Sequence, residues 1–180
     1  MAYLVELDVD NFGSLDGPED TFPVSVVDHN WLGVPYPAVA SVVSFEWEPG
    51  ETADEPDVFW YPQMRDWVCS KRAYDLLAGV ASSDLHVIAE GRLDVNPVFV
   101  VQVLSVLDVV DRENSIIDKY PSYEILRFPI FFRGASAAVA SRIFRVPGST
   151  TMIFVGDTVK QAIDNAGIKG FRFTPVDWSE

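Results

Sequence analysis

The fold is decided by the stretch Ser70–Ala81 (SKRAYDLLAGVA) and the segment Leu85–Leu93 (LHVIAEGRL) that follows it. Ser70 is a hydroxyl N-cap, and the apolar residues behind it recur on one face at helical spacing, so the first segment predicts a helix. The second segment has the length and the apolar content of a strand. A helix that leads into a strand, with further strand-like segments on both sides, favours the α+β class.

A second helix is predicted over about 158–166, with Asp157 as its cap and Gly167 at the left-handed position after its end. Short β-branched or aromatic segments predict strands at Tyr3–Val9, Val24–Val27, Ala38–Trp47, Val58–Tyr61, Val98–Val110, Tyr123–Phe132, Ser141–Val146, Thr151–Val155 and Gly170–Thr174. The sequence therefore predicts an α+β, strand-rich single domain with a mainly antiparallel sheet and at least two helices, about 70–81 and 158–166.

Acidic residues are concentrated at one end of the chain. Residues 1–68 contain 14 of the 27 acids and one base, Arg65, and so carry −13 of the total charge of −14. We therefore distinguish an acidic N-terminal segment, 1–68, from an α+β domain, 69–180, although the whole chain is short enough for one compact domain. A field of one sign attracts basic proteins and repels nucleic acid and anionic membranes. A solvated surface that keeps the protein soluble is the plainer explanation.

Composition excludes several classes of protein. With 180 residues, of which 48% are hydrophobic, the chain can bury a substantial core. Cys69 is the single cysteine, so no internal disulfide calls for an oxidising compartment. Met1–Asp10 lacks the basic start of a signal peptide, and no apolar run approaches the roughly 18 residues of a membrane helix. We expect a cytoplasmic protein.

Carboxylates are abundant, but recognisable motifs for catalysis or metal binding are lacking. The two histidines are His29 and His86; the chain lacks a nucleophile elbow, a phosphate-binding loop and a zinc cluster, and Cys69 lies in an apolar context that favours a buried thiol. The stretch Asp8–Glu19 places acids at four positions of a calcium loop, but Phe12 replaces an oxygen ligand. We expect no enzyme activity, no cofactor and no metal.

The segment 48–57 (EPGETADEPD) is an acidic loop flanked by aromatic residues. Aromatic anchors ringed by acids suit a tight interface with a basic partner, although such aromatics also pack in cores. We predict that nine residues of this region contact the partner: Glu46, Trp47, Glu48, Glu51, Asp54, Glu55, Asp57, Trp60 and Tyr61.

The second half resembles a known family. The shared elements are a helix that opens Ser70-Lys71-Arg72 and ends Leu76-Leu77, a strand at His86–Ala89, a D-[RK]-x-x-S element at Asp111–Ser115, and a closing signature of Arg142-Ile143-Phe144-Arg145, Ile153-Phe154-Val155, a helix from Asp157 and Gly170-Phe171-Arg172-Phe173. Over roughly residues 58–175 the chain is similar to family eleven of the immunity proteins of bacterial polymorphic toxin systems. The resemblance implies a cytoplasmic protein, made beside a secreted toxin, that binds and blocks the toxin. It brings no catalytic residues.

Charge and resemblance together predict a non-enzymatic immunity protein that occludes a cognate toxin with a basic surface. Neither nucleic acid nor membrane is expected as a partner, and the oligomeric state is not indicated. A small carboxylate-dependent hydrolase or a calcium-binding module is the alternative. A self-associating structural module is a third possibility.

Overall fold

The computed structural model describes residues 1–17, 33–52, 54–62, 66–121, 124–134, 136–149 and 151–179. These residues form 13 strands and three α-helices, with short 3₁₀ turns at Ser82–Asp84 and Ser136–Val139. The elements in chain order are β1 (Ala2–Leu7), α1 (Val9–Phe12), β2 (Ser14–Asp16), β3 (Val43–Glu48), β4 (Val58–Phe59), β5 (Trp67–Ser70), α2 (Lys71–Ala81), β6 (Leu85–Leu93), β7 (Asn96–Val103), β8 (Ile116–Lys119), β9 (Glu124–Arg127), β10 (Phe131–Phe132), β11 (Ile143–Phe144), β12 (Ile153–Gly156), α3 (Asp157–Ala166) and β13 (Phe171–Trp178).

A five-stranded sheet joins the two ends of the described chain. Its strand order is β10-β13-β1-β12-β11, so β1 lies between two strands from the last 28 residues of the chain. Ala2–Val5 pair with Ile153–Gly156, and Ala2–Leu7 pair with Phe171–Val176, both antiparallel. The early part of the chain therefore supplies an interior strand of this sheet.

The six-stranded sheet, with the order β2-β3-β6-β7-β5-β4, curls on itself. Ser14 in β2 forms a bridge with Trp60, just after β4, and the Leu15 N–H donates to the Trp60 carbonyl at 2.8 Å. This contact joins the two edge strands into a small barrel, which removes the free edges of the sheet. Its interior is filled by a cluster of apolar residues: Leu15, Val43, Phe45, Phe59, Tyr61, Val68, Ile88, Ala89, Leu93, Val98 and Val100.

The helices α2 and α3 pack together between the barrel and the five-stranded sheet. A central cluster combines Leu77 of α2 and Ile163 of α3 with Val101 of the barrel and Val155 of the sheet. The predicted cap residue Ser70 stabilises the start of α2, and the predicted glycine Gly167 stabilises the end of α3. The Ser70 hydroxyl accepts from the Ala73 N–H at 3.2 Å, and Gly167 is left-handed with φ 62°.

A third apolar cluster lies on the other face of the five-stranded sheet. Phe132, Phe144 and Phe154 stack together there, with ring centroids 5.1–5.9 Å apart. The antiparallel ribbon β8–β9 adds Leu126 to this cluster. The fold is thus layered, and the five-stranded sheet is packed on both of its faces.

Two buried ion pairs join the barrel to β11. The fully buried Asp84 accepts from both Nε and Nη2 of Arg142 at 2.7–3.0 Å and from the Ile143 N–H at 2.8 Å. Asp66 accepts from Arg145 Nη2 at 2.6 Å, and both residues are almost completely buried. Because a buried charge is stable only when it is paired, these contacts fix the barrel and the sheet relative to each other.

The predicted α+β, strand-rich fold and both predicted helices are confirmed. Asp157 is the first residue of α3 rather than its cap, and its carboxylate accepts from the Tyr3 hydroxyl at 3.1 Å. The strand predicted at Ala38–Trp47 begins only at Val43, and β5 was not predicted. The segment Val24–Val27 lies outside the described residues. No helix in the described ranges is long and apolar enough to cross a membrane.

The proposed division at residue 68 falls inside β5, which spans Trp67–Ser70. Segment 1–68 supplies β1 to the five-stranded sheet and β2, β3 and β4 to the barrel. Both sheets therefore contain strands from both sides of that division.

Candidate functional site

Three carboxylates lie together on the outer face of β2 and β3. Asp16 is directly opposite Glu46, and Glu48 lies two residues further along β3, opposite Ser14. All three acids are exposed, and none forms an ion pair with another described residue. We call Asp16, Glu46 and Glu48 the acidic patch. Like charges directly opposite one another destabilise a sheet, so the patch lowers the free energy of unfolding.

Replacing Glu46 with Gln is therefore expected to stabilise the protein. Loss of the repulsion from Asp16 should raise the free energy of unfolding by about 0.5 kcal/mol, as measured by urea denaturation. The matched control is Glu113→Gln, in the exposed turn before β8, where stability should stay unchanged. Equal effects of the two substitutions would show that Glu46 and Asp16 do not repel each other appreciably.

The loop after β3 is held against α1. The Glu51 N–H donates to the Asp10 carbonyl at 3.0 Å, and the Thr52 N–H donates to the Asn11 carbonyl at 2.9 Å. A Cβ on Gly50 would lie 2.5 Å from the Gly13 nitrogen, so this close approach of two backbones requires glycine. The exposed side chain of Glu51 is thereby held near the end of β3, beside the acidic patch.

Two of the predicted acidic contact residues have partners within the protein. Asp57 accepts from the Ser70 hydroxyl at 3.2 Å, from Arg72 Nη1 at 2.9 Å and from the Lys169 N–H at 3.0 Å. Asp54 forms an exposed ion pair with the Lys169 ammonium at 2.9 Å. Asp57 therefore organises the junction of α2 with the turn before β13, whereas the neighbouring Glu55 is exposed.

The predicted aromatic contacts have three different environments. Tyr61 is only 1% exposed and packs edge-on against Phe45 inside the barrel, so it offers no surface to a partner. Trp47 is half-buried, and its indole N–H donates to the Phe12 carbonyl at 2.8 Å. Trp60, at 38% exposed, is the most exposed of these three aromatic residues.

The acids of the N-terminal segment are partly neutralised by bases from residues 69–180. Arg172 lies 3.6 Å from Asp10 and 3.8 Å from Asp8. With the ion pairs of Asp54, Asp57 and Asp66, this makes five acids paired across the chain. The segregation of charge along the sequence is therefore in part a device that holds the two halves together. Among the described acids of the segment, those without an ion pair to a described base are therefore fewer than its net charge suggests.

An open cleft of about 370 Å³ lies where β1 approaches β4 and β5. The residues that line it are Val5, Glu6, Leu7, Val9, Trp60, Pro62, Asp66, Trp67, Thr151 and Ile153. The sequence indicated Trp60 as a contact residue but gave no signal for Glu6 or Trp67, because segments distant in the chain meet only when the sheets pack. The described lining carries two carboxylates, Glu6 and Asp66, and no basic side chain.

Neither Cys69 nor His86 is placed as a catalytic nucleophile or base would be. Cys69 is fully buried, and burial raises the pKa of its thiol far above the ordinary value, so the thiolate is not accessible at neutral pH. His86 Nε2 lies 3.1 Å from the Tyr36 carbonyl, a contact that positions the loop before β3. His29 lies outside the described residues.

The calcium-like stretch has a different geometry from a calcium loop. Residues Val9–Phe12 form the short helix α1, and Asp8 accepts from the Asn11 side-chain amide at 2.7 Å. Glu19, the last acid of this stretch, is not among the described residues. Within the described ranges, no group of three or more His, Cys, Asp or Glu side chains is arranged to hold a metal ion.

Residues 7–177 match the sequence model of the Immunity protein family (Imm11). The chain belongs to this family. The match extends well beyond the range 58–175 that the motifs indicate, and it includes most of the acidic N-terminal segment. No curated protein matches the chain.

The motifs that resemble Imm11 form the scaffold of this protein. Asp111 accepts from the backbone N–H of Glu113 at 3.0 Å, and the Ser115 hydroxyl accepts from the Phe131 N–H at 2.9 Å. Arg142 and Arg145 form the two buried ion pairs. The acidic patch contains none of these motif residues, whereas Ile153 lines the cleft, so the motifs identify the Imm11 family mainly through its scaffold.

Proposed function

We propose that this protein neutralises a cognate secreted toxin by binding and occluding it in the cytoplasm, with no catalysis of its own. We further propose that the toxin meets the acidic patch together with Glu51, Glu55 and Trp60. The observation that carries this proposal is the pair of cross-strand carboxylates Asp16 and Glu46, which form no ion pair with any residue that the structure describes. A basic partner would relieve their repulsion, so the charge that weakens the free protein would strengthen the complex. Imm11 membership supports the toxin-neutralising role.

The position of the patch suits a rigid interface. The carboxylates stand on two paired strands of a closed barrel rather than on a free loop, so little conformational entropy is lost when a partner binds. Net charge of −14 would also speed the encounter with a basic toxin. Toxins that bind phosphates are often basic, and an acidic inhibitor can cover the same surface.

Capture and protection together test this proposal. The tagged protein is incubated with lysate of its native host, washed at low and then at high salt, and the retained polypeptides are identified by mass spectrometry. We expect a stoichiometric partner that is toxic when expressed alone and harmless when co-expressed with this protein. A captured partner whose toxicity is unaffected by co-expression, or turnover of ester, phosphate or glycoside substrates by the pure protein, would contradict the proposal.

Charge reversal in the patch should slow the association. In Glu46→Lys/Glu48→Lys we expect the association rate constant with the captured toxin to fall about tenfold or more at low salt, and its dependence on salt to weaken. The control Glu113→Lys/Asp177→Lys makes the same change in net charge at exposed positions outside the barrel, one in the turn before β8 and one in β13. Equal losses in both variants, by surface plasmon resonance, would mean that only net charge matters and that the patch is not the interface.

A further inference from the structure

Arg92, in β6, is the one arginine of the described ranges that forms no ion pair. Each of the other described arginines lies within 4.0 Å of a carboxylate. Arg92 is exposed and has no such partner among the residues that the structure describes, although Glu90 and Asp94 flank it along the chain. The charge of its guanidinium is therefore available to a binding partner.

Arg92 lies at the border of the acidic patch. In the parallel pairing of β3 with β6 it is directly opposite Ser44, and Glu46 is two residues further along β3. These three side chains are exposed, whereas Phe45 and Leu93 fill the interior, so all three lie on the outer face of the barrel. Strands about 4.8 Å apart with a rise of about 3.3 Å per residue place the backbones at Arg92 and Glu46 roughly 8 Å apart. A partner that covers the acidic patch would therefore also cover Arg92.

Apolar residues stand beside this arginine. Arg92 lines an open groove of about 450 Å³ together with Val42, Val95 and Pro97. Val42 is 57% exposed, and Val95, in the turn between β6 and β7, is 89% exposed. Apolar contacts that exclude water strengthen a pair of charges at their centre. The groove therefore suits a carboxylate that arrives on a protein surface better than a small anion in water.

We infer that Arg92 binds a carboxylate of the toxin and so fixes the orientation in which the toxin docks, an inference that rests on the proposed function. A uniformly basic surface would meet Arg92 as a like charge and would be repelled. A surface that is basic opposite the acidic patch and carries an Asp or Glu roughly 8 Å away would match both features. Arginine holds a carboxylate through two parallel hydrogen bonds, which gives the contact a direction. Arg92 would thus determine specificity, while the acidic patch steers the approach.

The direction of one effect tests this inference. Arg92→Gln makes the protein more negative by one charge, so it would tighten binding of the captured basic toxin if only net charge mattered. We expect the opposite: the dissociation constant should rise about tenfold, mainly through faster dissociation. Lys119→Gln is the matched control, because Lys119 is exposed in β8, outside the barrel, and has no ion pair within the described ranges. The control should leave the dissociation constant unchanged or slightly lower.

A charge swap gives a second measurement. Arg92→Glu should weaken binding further, and toxin variants selected for renewed binding to it should carry a change of Asp or Glu to Lys or Arg. Arg92→Gln binding as tightly as the wild type or more tightly, or rescue only by variants that keep every acid of the toxin, would overturn the inference. If protection and the effect of Glu46→Lys/Glu48→Lys persist in that case, the proposed function stands. A wild-type protein that binds no toxin would instead contradict the proposed function, and the role of Arg92 with it.

Discussion

A fragment comprising residues 69–180 is expected to be unfolded in water. It lacks β1, so β12 and β13 lose the strand that lies between them. It also lacks β2, β3 and β4, so the barrel can neither close nor cover its apolar interior. Burial of each large apolar side chain contributes about 1.5–3 kcal/mol, and a domain of this size is stable by only about 5–15 kcal/mol. The loss of four strands exceeds that margin.

Circular dichroism and NMR provide the measurement. The 69–180 fragment should lack a cooperative thermal transition and show poorly dispersed amide resonances, whereas the full chain should show a cooperative transition and well-dispersed resonances. Adding the 1–68 fragment should restore a dispersed spectrum if strand pairing is the whole cause. A cooperative transition in 69–180 alone would support the independent α+β domain that the charge distribution suggests.

Replacement of Asp84 by Ala is expected to lower the free energy of unfolding by about 3–5 kcal/mol. The substitution leaves Arg142 without its partner and the buried Ile143 N–H without an acceptor. Asp118→Ala removes the acid of an exposed ion pair with Arg127, and it should cost less than about 1 kcal/mol. Urea denaturation of both variants measures the difference. Equal costs would mean that the Asp84 pair adds no more stability than a surface pair.

The same carboxylate should make stability depend on pH in a defined direction. Burial alone would raise the pKa of Asp84, but hydrogen bonds from Arg142, Ser105 and a backbone N–H outweigh it and hold the pKa below the ordinary value. The stabilisation is therefore complete above the unfolded pKa of about 3.9 and is lost as pH falls through the lower folded pKa. The difference in stability between the wild type and Asp84→Ala should be constant near neutrality and should shrink only below about pH 4.

Features that depend on local sequence were predictable. The Ser70 cap and the Gly167 turn act within a few residues, and Leu85–Leu93 forms the strand β6 as predicted. Features that depend on distant pairing were not predictable. Nothing in the sequence links Ser14 to Trp60, so barrel closure could not be foreseen. The strand β5 was missed because it is packed on both faces and so lacks alternation.

The candidate site illustrates the same limit. The acidic loop and its aromatic flank suggested Asp57 and Tyr61 as contact residues. Side chains alternate along the strand, so Tyr61 points into the core, and Asp57 pairs with Arg72. Asp16 was not predicted, because its importance comes from lying opposite Glu46 across two strands that are far apart in sequence. Composition therefore located the acidic region, and only strand register identified which carboxylates stand together.

The position of β1 also has a consequence for timing. This strand is among the first parts of the described chain to leave the ribosome, and its partner β13 is among the last, roughly 165 residues later. At about 5–20 residues per second, β1 waits on the order of ten seconds for its neighbours. Pairing across so long a separation also slows folding itself. This sheet would thus form only after β13 has been synthesised, so under the proposed function a cell's resistance would depend on the stock of folded protein it holds when toxin arrives.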